Sequence, residues 1–328
     1  MPFRVCMVGC GETATAVHGP ALARYARSRP DTELAACCAR HLDRADVFRR
    51  AFGYSRCYAD LDAMLDTERP DAVCLVAPVP ATCELACRIL AKGYPLLLEK
   101  PPGRSIVEID RMIAASDRSG APAMVAFNRR HTPLVVRLKR LLQEHCVSEH
   151  VRHIQVELTR VDRTTEEFAN TAIHGIDIAR FLTGSDYGHA RFHYQPLPHR
   201  GPAIANVHLE CVFLSGATGH LSFLPVSGRT MERVVVQADD HTFELRMPIM
   251  YVPGIPGRLR HFERDTLRLD ALSSGDAVEA NGFCGEITEF LDAIREGRRP
   301  AGDLRDARQS VAVMQCMRER REEYVAPT

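Results

Sequence analysis

The segment Gly9-Cys10-Gly11-Glu12-Thr13-Ala14 closes a short apolar run, Phe3–Gly9, and opens a helical stretch that continues through about Arg27. It fits G-x-G-x-x-G/A in the place that pattern needs, after a strand and before a helix. A side chain at the second glycine would block a pyrophosphate from the backbone, and the helix N-terminus offers amide donors and a positive dipole end. The expected ligand is a dinucleotide, met by Gly9, Gly11, Glu12, Thr13 and Ala14. A second apolar run ends in Cys38-Ala39-Arg40, with no carboxylate before Asp43. A carboxylate at that strand end would hold the adenosine ribose hydroxyls and repel a 2′-phosphate. Ala39 leaves room for the phosphate and Arg40 brings a fork of donors to it. NADP is therefore favoured over NAD. The plainer readings are a tight strand–helix turn for the glycine loop and a solvated charge for Arg40.

Lys100 stands at the end of another apolar run, Leu97-Leu98-Glu99-Lys100-Pro101-Pro102-Gly103. Strand C-termini are where open α/β sheets bind ligands. In a nicotinamide enzyme the hydride is the cofactor's work, while the protein positions the carbon and manages the proton. Oxidising an alcohol needs a base near neutral pH. Histidine serves without help, and lysine serves when desolvation or nearby positive charge lowers its pKa. The candidates are Lys100 and His174, the latter in Ala172-Ile173-His174-Gly175-Ile176-Asp177. On residue type alone, Lys100 could equally be a surface charge, and a core histidine is the commoner reading of His174.

These groups need a scaffold, and the first part of the chain supplies one by alternation. Strands are expected at Phe3–Gly9, Glu33–Ala39, Asp71–Ala77, Pro95–Glu99 and Ala123–Phe127. Helices fall between them, among them Asp43–Phe52 closed by Gly53, Thr82–Lys92 stopped by Gly93 and Ser105–Ser119 closed by Gly120. Runs that are apolar throughout indicate strands covered on both faces, so the fold class is a doubly wound α/β parallel sheet. From about Val151 strand follows strand: Val151–Val161, two strands in Asn206–Phe223 around Ser215-Gly216, Met231–Val236 and Thr242–Arg246. That texture predicts a second domain with a large, mostly antiparallel sheet. Helices at Glu286–Ile294 and Asp303–Arg318 end the chain. The expected division is residues 1–125 for the dinucleotide and 126–328 for substrate and oligomerisation, with the C-terminal helix able to pack back on the first domain.

Composition narrows the partners. Of 328 residues, 45% are apolar and 26% charged, an ordinary globular balance. Lys+Arg and Asp+Glu are both 42, so the basic excess of a nucleic-acid binder is missing. No segment reaches the ~18 continuous apolar residues of a membrane helix. Met1-Pro2-Phe3-Arg4-Val5 runs straight into a β-rich segment without the pattern of a signal peptide, so a cytoplasmic protein is expected. Twelve cysteines are irregularly spaced, without C-x-x-C. Cys6, Cys37, Cys38, Cys74 and Cys211 fall inside apolar runs and read as small buried hydrophobes. Neither Cys83 with Cys87 nor the stretch His189, His193, His199 completes a zinc set, so no metal is expected.

Glu99-Lys100-Pro101, at its distance from the glycine loop, resembles the Gfo/Idh/MocA family, named after glucose–fructose oxidoreductase, inositol dehydrogenase and the rhizopine catabolism protein. Ala77-Pro78-Val79-Pro80 resembles that family's proline-bearing loop after the fourth strand, and Ala126-Phe127-Asn128-Arg129-Arg130 the segment after the sixth. His174-Gly175-Ile176-Asp177 resembles its H-x-x-D helix, and Gly282-Phe283 through Gly297 its C-terminal helix. The resemblance implies a Rossmann domain followed by an α/β domain whose open sheet forms homo-dimer or homo-tetramer interfaces. It also implies a hydride transferred between the nicotinamide and a sugar-like or polyol alcohol or ketone. Lys100 would lie beside the nicotinamide, His174 would share the proton transfer, and Ala77, Pro78 and Glu99 would join the cofactor contacts. Asn128, Arg129, Asn170 and Asp177 would face substrate, Asp177 more often supporting the helix or the sugar.

The chain departs from the family pattern at four places. Asn170 stands where many members carry an aspartate on the face of the histidine, and it brings no charge to an imidazolium. Arg163-Thr164-Thr165-Glu166-Glu167-Phe168 replaces a glycine-rich turn, Cys83 replaces a histidine, and the loop from Gly11 to His18 is one residue longer. Two further readings therefore stay open beside the dehydrogenase or reductase: a nicotinamide-binding regulator or scaffold that lost the chemistry, and an enzyme that uses the nicotinamide transiently for elimination or bond cleavage.

Overall fold

The computed structural model describes residues 1–145, 151–164, 168–250, 252 and 255–327. The chain divides into two compact units: residues 1–128 with 283–311, and 129–282 with 312–328. The first chain passage between them thus falls at Asn128–Arg129, and the segment that begins at Phe283 belongs with the glycine loop.

In the first unit, β1 (Phe3–Val8) is followed by a wide turn of π-helix, Ala14–His18, that runs into α1 (Gly19–Ser28). Then come β2 (Thr32–Cys38), α2 (Leu42–Phe52), β3 (Arg56–Tyr58), α3 (Leu61–Glu68), β4 (Ala72–Leu75), α4 (Val79–Ala91), β5 (Leu96–Glu99), α5 (Ile106–Ser119) and β6 (Ala123–Ala126). The strands pair in parallel in the order β3-β2-β1-β4-β5-β6. Four of them, β1, β2, β4 and β6, end in fully buried residues, as expected of strands covered on both faces. Chain order reverses between β1 and β4, and such a switch point leaves a crevice at the strands' carboxyl ends. α5 shows why the sequence stops and starts where it does. Ser105 accepts the Glu108 N–H (3.3 Å) at the N-cap, and Gly120 closes the far end. β3 and α3 were not expected, and the second is nonetheless capped in the usual way, Asp60 accepting the Ala63 N–H at 2.7 Å.

The second unit holds α6 (Pro133–His145), β7 (Val151–Thr159), α7 (Ala169–Thr183), β8 (Tyr187–Pro196), β9 (Ala205–Phe213), β10 (Thr218–Leu224), β11 (Met231–Ala238), β12 (His241–Arg246), β13 (Arg258–Glu263), β14 (Thr266–Leu272) and α8 (Ala277–Ala280). After α9 (Phe283–Arg295) and α10 (Leu304–Arg318), β15 (Glu323–Val325) completes a nine-stranded sheet in the order β14-β13-β12-β11-β7-β10-β9-β8-β15. All pairs are antiparallel except β7 with β10. β9 alternates buried and outward residues along its length, so one face of the sheet is packed and the other open. α7 lies on the packed face. A Cβ at Gly175 would come within 2.7 Å of the Phe223 ring and 3.0 Å of Leu158, so glycine lets the helix approach the sheet. That approach fixes the depth of its neighbour His174.

Candidate active site

The expected cofactor residues collect at the carboxyl ends of the parallel strands. Gly9 follows β1, Ala39 and Arg40 follow β2, Ala77 and Pro78 follow β4, Glu99 ends β5 with Lys100 next, and buried Asn128 follows β6. Hydrogen bonds lock these ends together: Gly9 N–H donates to the Cys38 carbonyl and Val76 N–H to that of Val8, both at 2.8 Å. The two loop glycines serve different needs. Gly9 has φ +93° and a Cβ there would lie 1.9 Å from the Val76 carbonyl oxygen, so the protein itself demands glycine. At Gly11 a Cβ meets nothing within 4 Å. Gly11, Glu12 and Thr13 are exposed while Ala14 is buried against the sheet. Open backbone at the second glycine, at the start of a helix, fits a dinucleotide's pyrophosphate. Arg40 is exposed and, among the described residues, makes no ion pair, so its guanidinium is available to a phosphate.

The loop leads into the π-turn. Gly19 N–H reaches back five residues to the Ala14 carbonyl rather than four. His18 ends that turn, buried to 1% exposure, and its Nε2 lies 2.7 Å from Glu99 Oε1. Glu99 Oε2 accepts the backbone N–H of Lys100 at 2.9 Å. Burial pushes the Glu99 carboxyl upward, yet the His18 hydrogen bond, the His18 and Lys100 charges and the Lys100 N–H hold it below the ordinary glutamate range. His18 adjoins the candidate residues Glu99 and Lys100, and sequence reading did not single it out. Its partner is 81 residues away, and only the longer loop marked the place.

Lys100 is one of three lysines in the chain, with Lys92 and Lys139, against 42 basic residues in all. Lys92 pairs with Asp66 and Asp62, and Lys139 donates to the Phe181 carbonyl (2.7 Å) near the end of α7. An arginine cannot shed its proton near neutral pH, whereas a lysine can when its surroundings lower its pKa.

In the second unit His174 is buried on α7 at 4% exposure. One turn earlier, Asn170 Oδ1 accepts from Arg318 Nη2 at 3.1 Å. Asp177 accepts both forks of Arg130, at 2.7 and 2.5 Å, and both side chains are buried. Arg129 is bidentate to Glu232, at 3.1 and 2.7 Å, and Arg160 reaches the same carboxylate. The charged groups of Arg129 and Asp177, expected to face substrate, are thus engaged inside the unit. Of the stretch 163–168, residues 165–167 lie outside the described residues.

Burial pushes Cys6 up to about 12 and Cys83 to about 11, far from a nucleophile's range. Among the described residues no group of three His, Cys, Asp or Glu could hold a metal, and no helix is long and apolar enough to cross a membrane.

Residues 3–127, the glycine loop and Glu99-Lys100 included, match the model of an oxidoreductase family with an NAD-binding Rossmann fold. Through this segment the chain resembles the Gfo/Idh/MocA family. Similar proteins include the D-apiose dehydrogenase of Paraburkholderia graminis, 28% identical over 56% of this chain and 50% of that protein. The chain thus spans half the length of that relative. A second is the scyllo-inositol 2-dehydrogenase (NAD(+)) of Bacillus subtilis, 22% identical over 78% of this chain and 77% of that one. Among solved structures, a dehydrogenase from Chromobacterium violaceum superposes with a TM-score of 0.82 at 22% identity, covering 98% of this chain and 95% of that chain. That likeness shows a shared fold in each unit: the six-stranded parallel sheet and the large, mostly antiparallel one.

Proposed function

We propose that this chain is an oxidoreductase that moves a hydride between NADP and a CH–OH group, or its ketone, on a sugar-like or polyol substrate. The observation that carries the reading is Lys100 at the carboxyl end of β5, its neighbour Glu99 fixed by two hydrogen bonds, in the sheet that carries the open glycine loop. The substrate class follows the similar dehydrogenases, whose sugars and inositols are polyhydroxylated.

A bound nicotinamide supplies the hydride chemistry. The chain's residues do the rest. Backbone amides after Gly11 hold the pyrophosphate, and the absence of a side chain there lets it approach. Arg40 takes the 2′-phosphate, with Ala39 leaving it room. Lys100 exchanges the proton of the reacting hydroxyl, and His174 has the second proton-transfer role. Asp177, spent on Arg130, holds α7 in place rather than touching sugar.

The test is a paired thermal-shift titration with NADPH and NADH, followed by turnover assays that begin with D-apiose and scyllo-inositol. A ligand that binds only the folded state at ~100-fold over its Kd adds about 2.7 kcal/mol. Stabilisation by NADPH alone, with turnover of a sugar or polyol, supports the proposal. Preference for NADH overturns the cofactor choice, and no response to either overturns the enzyme reading.

A further inference from the structure

We infer that His18 is a positioning residue for Lys100, acting through Glu99; this rests on the function proposed above. The contact chain is continuous. A carboxylate only accepts hydrogen bonds, so His18 Nε2–H donates to Glu99 Oε1 (2.7 Å), and Glu99 Oε2 takes the peptide N–H of Lys100 itself (2.9 Å). The two oxygens of one side chain thereby tie the π-turn after the glycine loop to the peptide that presents Lys100. Charge-assisted bonds of this kind are short and directional, and they fix the strand end as well as the acid.

Packing alone does not account for a histidine here. The ring is 1% exposed, and its Nδ1 is buried with no hydrogen-bond partner among the described residues. A buried polar atom left unpaired is destabilising, and an apolar side chain would fill the same space without that penalty. Its aromatic contact with the edge of Phe283, 5.8 Å away at 77°, is one that another ring of similar shape could make. What only the imidazole supplies is the Nε2–H aimed at Glu99. The π-turn that ends at His18 is itself a form frequently found at functional sites.

The experiment compares His18→Leu, His18→Gln and wild type as full-length protein. Glutamine keeps an amide N–H at the reach of Nε2, and leucine does not. With the sugar or polyol that wild type turns over, His18→Leu should lower kcat about tenfold or more while KM and the NADPH Kd stay within about twofold, and His18→Gln should regain most of the loss. Wild-type kcat in His18→Leu overturns the inference, and so does an equal fall of kcat and NADPH affinity in both variants. Should His18→Leu not fold, His18→Met is read in its place.

If wild type turns over no substrate, the proposed function falls and the inference is read on Lys100 alone. Trace acetylation with acetic anhydride, followed by peptide mass spectrometry, resolves all three lysines of the chain. Lys100 labelling relative to Lys92 should then change by about threefold or more in His18→Leu and return in His18→Gln, as expected when an amine's immediate surroundings shift. Unchanged labelling in both variants overturns it.

Discussion

Arg130 and Asp177 form a bidentate ion pair in which both side chains are buried, Nε to Oδ2 at 2.7 Å and Nη2 to Oδ1 at 2.5 Å. The pair joins the segment before α6 to the middle of α7, three residues from His174. Removing one partner leaves the other charge buried and uncompensated. Asp177→Asn should therefore lower unfolding stability by about 3–5 kcal/mol, and replacing both residues by Arg130→Met with Asp177→Leu should recover much of it. Chemical denaturation measures both. A midpoint unmoved in Asp177→Asn would show that the pair does not hold α7.

Lys100→Ala should lower turnover by about 10²–10⁴-fold, the range of a lost general acid or base. Lys100→Arg should be nearly as inactive, since guanidinium keeps its proton. Neither change touches the glycine loop, so NADPH affinity should hold within a few fold in both. The comparison of kcat with Kd decides it, and unchanged turnover in Lys100→Ala would remove Lys100 from the chemistry.

Arg40 is exposed and, among the described residues, unpaired, so its loss should not disturb the fold. A hydrogen-bonded charge on a phosphate contributes about 1.5–3 kcal/mol. Arg40→Ala should then weaken NADPH about 10–100-fold and leave NADH alone, by fluorescence titration of each. Equal effects on the two cofactors would place the 2′-phosphate elsewhere.

Glu232 gives the second unit an acid limit. Burial raises its carboxyl, but Arg129 and Arg160 outweigh that and hold it at about 2, against an ordinary 4.5. A carboxylate with a depressed folded pKa contributes stability that is fully present above its unfolded value and is lost as pH falls through the folded one. The loss therefore runs from about pH 4.5 down to about 2 and amounts to at most about 3 kcal/mol. Glu232→Gln should flatten the pH dependence in that window while lowering stability at pH 7. A denaturation series at fixed ionic strength reads both, and an unchanged slope would dismiss the carboxylate as its source.

What could be read from the sequence was what has a local cause. α5 was legible because Ser105, Glu108 and Gly120 mark both its ends within one stretch of chain. The parallel sheet was legible because its strands are apolar throughout, and the end of β5 because Glu99-Lys100-Pro101 is a compact motif. β3 is three residues long, with exposed Arg56 at its start, and no hydrophobic period fits so short a run. β14 alternates Leu267, Leu269 and Ala271 with polar residues, a strand pattern that the sequence did carry, although none of its residues is fully buried. The site divides along the same line. Gly9, Gly11 and Lys100 announce themselves by type and place. His18–Glu99, Arg130–Asp177 and Arg129–Glu232 join residues 81, 47 and 103 apart, and no local spacing encodes such partners.

Gly9 and Gly11 lie two residues apart and should fail differently. At Gly9 an added Cβ would sit 1.9 Å from the Val76 carbonyl oxygen, on backbone with φ +93°, so Gly9→Ala must displace β1 or the end of β4. Strain of that kind should lower stability with or without cofactor, by at least about 1–3 kcal/mol. At Gly11 the Cβ enters open space and φ is not left-handed, so Gly11→Ala should fold with wild-type stability. The methyl would instead occupy the room through which a pyrophosphate reaches the amides at the helix start. Thermal melts with and without NADPH separate the two: Gly9→Ala should melt early in both, and Gly11→Ala should lose only the NADPH-dependent gain. A Gly11→Ala protein that keeps the full gain would mean that the dinucleotide does not cross the second glycine of this loop.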